Sequence, residues 1–150
     1  MYTGLLHLHS ALRYVVLALL IITIAKAFIG WFGKKDYTTG DNKLSLFTFI
    51  SAHTQLLIGL ILFGISPVVK AGMADMATAM KDPIMRFWTV EHALSMVVAI
   101  AIITLGRIMS KKGTTDAAKH RRIAIYYLLA LILIFSAIPW PFSAVARPWF

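Results

Sequence analysis

Hydrophobic residues fill four long stretches of the chain, and short polar segments separate them. The stretches run over residues 5–32, 44–69, 85–109 and 123–146. Each reaches the ~20 residues that an α-helix needs to cross the hydrocarbon core of a bilayer. The pattern therefore predicts an all-α fold, an integral membrane up-down-up-down four-helix bundle that forms a single transmembrane domain over residues 1–150.

The connection between the second and third stretches is the longest, and it contains regularly spaced methionines. Met73, Met76 and Met80 are three and four residues apart, a spacing that puts them on one face of a helix. We expect a short helix over 71–81 that lies in the membrane interface.

Composition supports the membrane assignment. The 150 residues are 59% hydrophobic with a mean hydropathy of +0.78, whereas soluble domains are roughly 45–50% apolar. The net charge of +9 would suggest a nucleic-acid partner in a soluble protein, but here the basic residues concentrate at the ends of apolar stretches. They indicate topology and contact with lipid head groups, so the bilayer is the expected partner and nucleic acid is not.

The distribution of basic residues predicts the orientation. The first and third connections carry Lys34, Lys35, Lys43, Arg107, Lys111, Lys112, Lys119, Arg121 and Arg122. The positive-inside rule places these connections in the cytoplasm and both termini outside, in a bacterial-type inner membrane. Trp88, Trp140 and Trp149 would then form an aromatic belt at the outer interface.

Several kinds of chemistry are excluded by the residues that the sequence lacks. It has no cysteine, which excludes disulfides, iron–sulfur clusters and covalent haem attachment. It has no phosphate-binding glycine loop, no nucleophile elbow and no H-E-x-x-H motif. Hydrolytic and nucleotide-driven functions therefore have no support.

Four of the five histidines fall into two pairs by depth in the membrane. His9 lies about 6 Å inside the start of helix 1, and His92 about 10 Å inside the start of helix 3, both near the outer face. His53 in helix 2 lies about 13 Å from the opposite face, and His120 is near that face if helix 4 begins at Asp116. Helices 1 and 3 are diagonal in such a bundle, as are helices 2 and 4.

This placement resembles the haem core of small membrane b-type cytochromes, the cytochrome b561-like group, in which histidines on alternate helices hold haem near each membrane face. The resemblance implies non-covalent haem b, one or two per chain. His9 with His92, and His53 with His120, would be the iron ligands. An iron with two histidine ligands suits electron transfer, here between a quinol and a further membrane redox protein.

Two charged residues accompany the outer pair of histidines. Arg13 follows His9 by four residues and therefore shares its helix face. Its expected partner is Glu91, a haem propionate or a lipid phosphate. Glu91 could also orient a histidine by accepting a ring N–H.

Copper binding or transport is an alternative. Thioethers and imidazoles suit Cu(I), and His7, His9, Met73, Met76 and Met80 are all predicted at the outer face. In this respect the chain resembles, more faintly, membrane proteins of the copper-resistance D type.

A second alternative is a non-catalytic membrane anchor or subunit of a larger complex, in which the polar residues only pin helices together. Gly59, Gly64 and Gly106 would allow close helix approach, including in a homodimer.

Overall fold

The computed structural model describes residues 2–145, which form helices joined by short turns. The helices are α1 (Tyr2–Phe32), α2 (Thr39–Ile65), α3 (Pro67–Ala74), α4 (Met76–Lys81), α5 (Pro83–Arg86), α6 (His92–Lys111) and α7 (Asp116–Ala137), with a π-helical turn (Phe87–Glu91) between α5 and α6. Four helical segments have the length and hydropathy to cross a membrane, namely α1, α2, Pro83–Lys111 and α7. The predicted all-α fold with four such helices is confirmed.

Two of the long helices begin earlier than their apolar stretches do. Before α2, Thr38 and Asp41 form a reciprocal capping box, and before α7 the side chain of Thr115 accepts a hydrogen bond from the Ala118 N–H. Such caps satisfy backbone donors that have no partner inside the helix. The predicted starts at residues 44 and 123 were therefore late, because apolar composition marks the lipid-facing part of a helix and not its first turn.

Helix α7 ends at Ala137, short of the predicted end at residue 146. Ile138 is extended (φ −75°, ψ 132°) and precedes Pro139, whose ring disfavours helical conformation in the residue before it. The prediction was wrong because it let the apolar stretch continue through Pro139 and Pro141. Trp149, which was predicted to belong to the outer aromatic belt, falls outside the described residues.

Proline also ends α2 early. Ser66 is extended (φ −66°, ψ 125°), and Pro67 starts α3 at a position where its missing N–H is not needed. The single interfacial helix predicted over 71–81 is instead split between α3 and α4, because Asp75 leaves the helical conformation and caps α4 through the Thr78 N–H.

The four long helices pack as a bundle in which α1 contacts α2 and α7, and α6 contacts α7 and α2. Helices α1 and α6 are therefore diagonal, as are α2 and α7. The α6–α7 interface is the most extensive of the four, and the α2–α6 interface is the least. The core lies mainly between α1, α6 and α7, where Leu20, Ala27, Ile103, Ile123, Ala124 and Tyr127 are fully or almost fully buried.

Helix α2 turns polar and small residues towards the bundle and large apolar residues outward. Its inward stripe, which we call the α2 polar stripe, consists of Asn42, Ser45, Thr48, Ala52, Gln55 and Gly59. Thr48 shares a hydrogen bond of 2.7 Å with Thr23 of α1, and Gln55 bonds to α1 as well. Phe47, Ile50, Leu57, Leu60 and Ile61 are exposed, as suits a surface that faces lipid.

A buried arginine joins the stripe to α6. Arg107 is only 7% exposed, and its Nη1 donates to Ser45 Oγ at 2.6 Å and to the Asn42 carbonyl at 3.3 Å. Within residues 2–145 no carboxylate lies within 4 Å of it. Arg107 was predicted among the charges of a polar connection, which was wrong: it lies inside α6 and at the α2–α6 interface.

We expect Gly30 to be a packing site that tolerates no side chain. A Cβ at Gly30 would overlap the ring of the buried His120, whereas a Cβ at Gly64 would meet nothing within 4 Å. Gly30→Ala should therefore destabilise the protein by about 1–3 kcal/mol through overpacking. Gly64→Ala, the matched control, should be neutral or stabilising by up to about 1 kcal/mol, because alanine favours the helix over glycine. Thermal unfolding in detergent measures both; equal stabilities would contradict the close α1–α7 approach at Gly30.

Candidate functional site: a cavity lined by two histidines

A cavity of about 140 Å³ lies inside the bundle near the end that α3, α4 and α5 cover, which we call the cap end. All four long helices contribute to its wall. Most of the wall is aliphatic, and its polar side chains include His9, Arg13, Gln55 and His92. A largely apolar cavity with a few convergent polar groups is the usual form of a ligand site. We call it the histidine cavity.

The cavity brings together the two histidines that were predicted to share one depth. The ring centroids of His9 and His92 lie 6.5 Å apart, with their planes at 74°. His9 lies about 10 Å along α1 from Tyr2, and His92 lies about 13 Å along its segment from Pro83. Although α1 and α6 are diagonal, the two imidazoles thus meet across the bundle.

His92 is oriented by the backbone of α7. Its Nδ1 lies 2.8 Å from the carbonyl oxygen of Ala137, so Nδ1 carries the hydrogen and Nε2 is the nitrogen with a lone pair. Metal-binding histidines commonly donate their other ring N–H to a carbonyl in this way. The rings of Phe87 and Trp88, each 5.7 Å from that of His92, pack beside it.

The π-helical turn directly precedes His92. The backbone N–H of His92 donates to the carbonyl of Phe87, five residues earlier, which widens the helix by one residue. Such turns are frequent at functional sites. Helix α3 packs onto the turn at Gly72, where an added Cβ would overlap the side chain of Thr89. Helix α3 at the cap end therefore packs closely against the π-helical turn that precedes His92.

Two residues of α2 contact His9 and position it. Gln55 Nε2 donates to the carbonyl oxygen of His9 at 2.8 Å. The His9 ring lies over Gly59, where an added Cβ would come within 3.0 Å of Cε1. Gln55 Oε1 is buried and accepts no hydrogen bond from any described residue.

Arg13 adds a positive charge to the cavity wall. It lies one turn after His9, its Nη2 donates to the hydroxyl of Tyr14 at 2.9 Å, and its guanidinium lies 4.7 Å from the Tyr14 ring centroid. A guanidinium in a largely apolar wall suits a ligand that carries a carboxylate.

Glu91 does not take the place predicted for it. Its carboxylate accepts a hydrogen bond from Arg86 Nε at 2.6 Å, and both side chains are well exposed. Neighbouring residues in a helix point in different directions. Because His92 faces the cavity, Glu91 faces away from it, and the expected roles of partner to Arg13 and orienter of a histidine were wrong.

The inner histidines do not form a pair like the outer one. His53 Nδ1 donates to the Phe49 carbonyl at 2.8 Å, and its Nε2 lies 3.3 Å from Thr104 Oγ1. This histidine thus bridges α2 to α6. Because α2 begins at Thr39 and not at residue 44, His53 lies about 21 Å from the start of its helix. This distance is larger than the predicted one.

His120 is buried at the opposite end of the bundle from the cap end. It lies about 6 Å from the start of α7, where its ring covers Gly30 and lies 4.9 Å from the Tyr37 ring. Its Nε2 donates to the Asp36 carbonyl at 3.3 Å. It is thus a packing residue between α7, α1 and the first connection, at a different depth from His53.

The residues proposed for copper do not enter the cavity wall, apart from His9. His7 is exposed, and Met73, Met76 and Met80 are 55%, 42% and 46% exposed. Residues 2–145 contain no group of three or more His, Cys, Asp or Glu side chains that could hold a metal ion. Copper binding stays a prediction without an assembled site.

Three contributors to the site were missed by sequence reasoning. Ala137 acts through its carbonyl, which no side-chain pattern reveals. Gln55 was not among the predicted site residues, and Gly59 was considered only for close helix approach. Their spacing of four residues on one face of α2 was the available signal.

Comparison with known proteins gives no match. No family model, curated protein or solved structure corresponds to the chain. The function is therefore argued from the geometry of the histidine cavity.

We expect His92 to be the Nδ1–H tautomer when neutral, because the Ala137 carbonyl can only accept a hydrogen. Nitrogen-15 NMR of the histidine-labelled protein at a pH above the imidazole titration distinguishes the tautomers. The exposed His7 serves as the control and should show the mixture typical of a solvated ring. A dominant Nε2–H signal for His92 would contradict the orientation described above.

Proposed function

We propose that the histidine cavity binds one b-type haem between His9 and His92, and that the protein passes electrons within or across the membrane. The observation that carries the proposal is the 6.5 Å separation of the two ring centroids. Metal–imidazole bonds of about 2 Å on either side of one ion would place the two centroids roughly 6 Å apart. The two imidazoles are thus already spaced for a shared ion.

The other residues of the cavity support haem in particular. The hydrogen bond from His92 Nδ1 to Ala137 makes Nε2 the nitrogen that carries the lone pair in the neutral ring, as in many metal-binding histidines. Arg13 supplies the charge that a propionate would need. Aliphatic side chains such as Leu56, Met96 and Ile100 line the cavity and suit the faces of a porphyrin.

A porphyrin needs more room than the 140 Å³ of the cavity, because pockets for ligands of drug size have volumes of about 300–1,000 Å³. The α2–α6 interface is the least extensive in the bundle. Helix α2 can therefore move away from α6 with the smallest loss of packing, while α6 and α7 keep their extensive contact. We infer that haem is accommodated on this side.

Haem would supply reversible one-electron chemistry, and two histidine ligands would direct it to electron transfer rather than oxygen binding. The chain's own residues hold the imidazole lone pairs in place, balance the propionate charge through Arg13 and exclude water with an apolar wall. A quinol and a further redox protein are the proposed electron partners. In the proposed orientation, which follows from the basic residues of the first and third connections, the cap end and both termini face outward from a bacterial-type inner membrane.

We expect the protein, expressed with ample haem and purified, to show a Soret band and reduced α-band. His9→Ala and His92→Ala should each abolish or strongly reduce the bound haem, because each removes one of the two ligands. Optical spectroscopy with protein quantification measures the haem content.

His7→Ala is the matched control, since it removes an exposed imidazole two residues from His9 and should leave the spectrum unchanged. A colourless wild-type protein would refute the haem proposal. It would favour the alternative of a non-catalytic anchor, in which the histidines only join helices.

We expect about one haem per chain and not two. His53→Ala should retain the haem because His53 and His120 contact different residues at different depths. A haem assay against amino-acid analysis gives the ratio. Two haems per chain would show that there is a second haem site. Haem loss in His53→Ala, with haem kept in His92→Ala, would show that the inner histidines hold the haem.

A further inference from the structure

We propose that Gln55 and Gly59 of α2 are positioning residues that fix His9 as a ligand, so that α2 builds the haem site without contributing a ligand of its own. This inference rests on the proposed haem function. It concerns how firmly each of the two histidines is held.

The first contact fixes the backbone of His9. The carbonyl oxygen of His9 accepts a backbone hydrogen bond within α1, and its second lone pair can accept another hydrogen. Gln55 Nε2 provides it at 2.8 Å. The bond joins α2 to α1 at the turn that carries the ligand.

The second contact fixes the ring. Gly59 lies one turn after Gln55 on the α2 polar stripe, and the His9 imidazole occupies the space that a side chain would take, with only 3.0 Å from the ideal Cβ position to Cε1. A side chain at residue 59 would push the ring away from α2. Gln55 and Gly59 therefore both position His9. Gln55 bonds to the backbone carbonyl of His9, and Gly59 leaves room for its ring.

The two ligands are held by different means. His92 is oriented by the Ala137 carbonyl, a main-chain group that no substitution removes. His9 depends on the side chain of Gln55 and on the lack of one at Gly59. His9 is therefore the ligand that a substitution in α2 can release, and an external ligand should enter on its side of the iron.

The test uses carbon monoxide, which binds reduced haem only where an axial position is open. We expect the reduced wild-type protein to bind carbon monoxide only weakly. In Gln55→Met, which keeps the size of the side chain but cannot donate to His9, loss of one hydrogen bond should raise the fraction of haem with His9 released about fivefold. The apparent affinity for carbon monoxide, measured by titration of the difference spectrum, should rise by the same factor at unchanged haem content.

Gly59→Ala provides a second variant that keeps the Gln55 hydrogen bond. It should shift the low-spin electron paramagnetic resonance signal of the oxidised haem, because the imidazole must turn or move by a few tenths of an ångström. It also keeps the proposal testable if Gln55→Met fails to fold.

Thr48→Val is the matched control. It removes another hydrogen bond between α1 and α2, that to Thr23, from the same stripe but outside the cavity wall. It should lower thermal stability while leaving the carbon monoxide affinity and the resonance signal as in the wild type.

The proposal fails if Gln55→Met and Gly59→Ala match Thr48→Val in carbon monoxide reactivity and resonance signal while the wild type contains haem. A wild type without haem refutes the proposed function itself, so the two failures are distinguishable.

Discussion

The structure depends on the hydrogen bonds that the inward face of α2 makes to its neighbours. Inside a bilayer, lipid solvates apolar side chains as well as another helix does, so packing and polar contacts hold helices together. Helix α2 presents large side chains to the outside and small or polar ones to the bundle. Thr48 joins it to α1, Ser45 joins it to α6 through Arg107, and the hydroxyl of Tyr127 on α7 donates to the Ser45 carbonyl at 3.0 Å. These hydrogen bonds thus join α2 to each of the other three long helices.

The same arrangement explains where the cavity lies. Helices α1, α6 and α7 form an interdigitated core of Leu20, Ile103 and Tyr127, each fully buried, which leaves no room for a ligand. Helix α2 closes the fourth side, and towards the cap end its inward residues include Ala52 and Gly59. Gly59 makes room for the His9 ring, and the histidine cavity lies beside that ring. The helix that carries the polar stripe therefore also shapes the site.

The spans and the juxtaposition of His9 and His92 could be predicted because both depend on hydropathy and on axial rise, which are local properties of the sequence. The ends of the helices could not, because caps and prolines set them. That error moved His53 along its helix and produced a false pairing with His120. The direction of the Glu91 side chain was predicted wrongly for another reason. Glu91 and His92 were expected to act together because they are adjacent in sequence, but neighbouring residues of a helix point in different directions.

The π-helical turn before His92 has a consequence for how the third span is compared with other sequences. A turn that contains one residue more than an α-helical turn advances the helix phase by about 100°. The four residues of α5 and the whole of α6 therefore follow two different helical wheels, although they form one continuous rod. An alignment of this span with a regular helix would need a one-residue gap at Phe87–Glu91. Deleting a single residue there would rotate α5 by about 100° relative to α6 while leaving hydropathy and length almost unchanged.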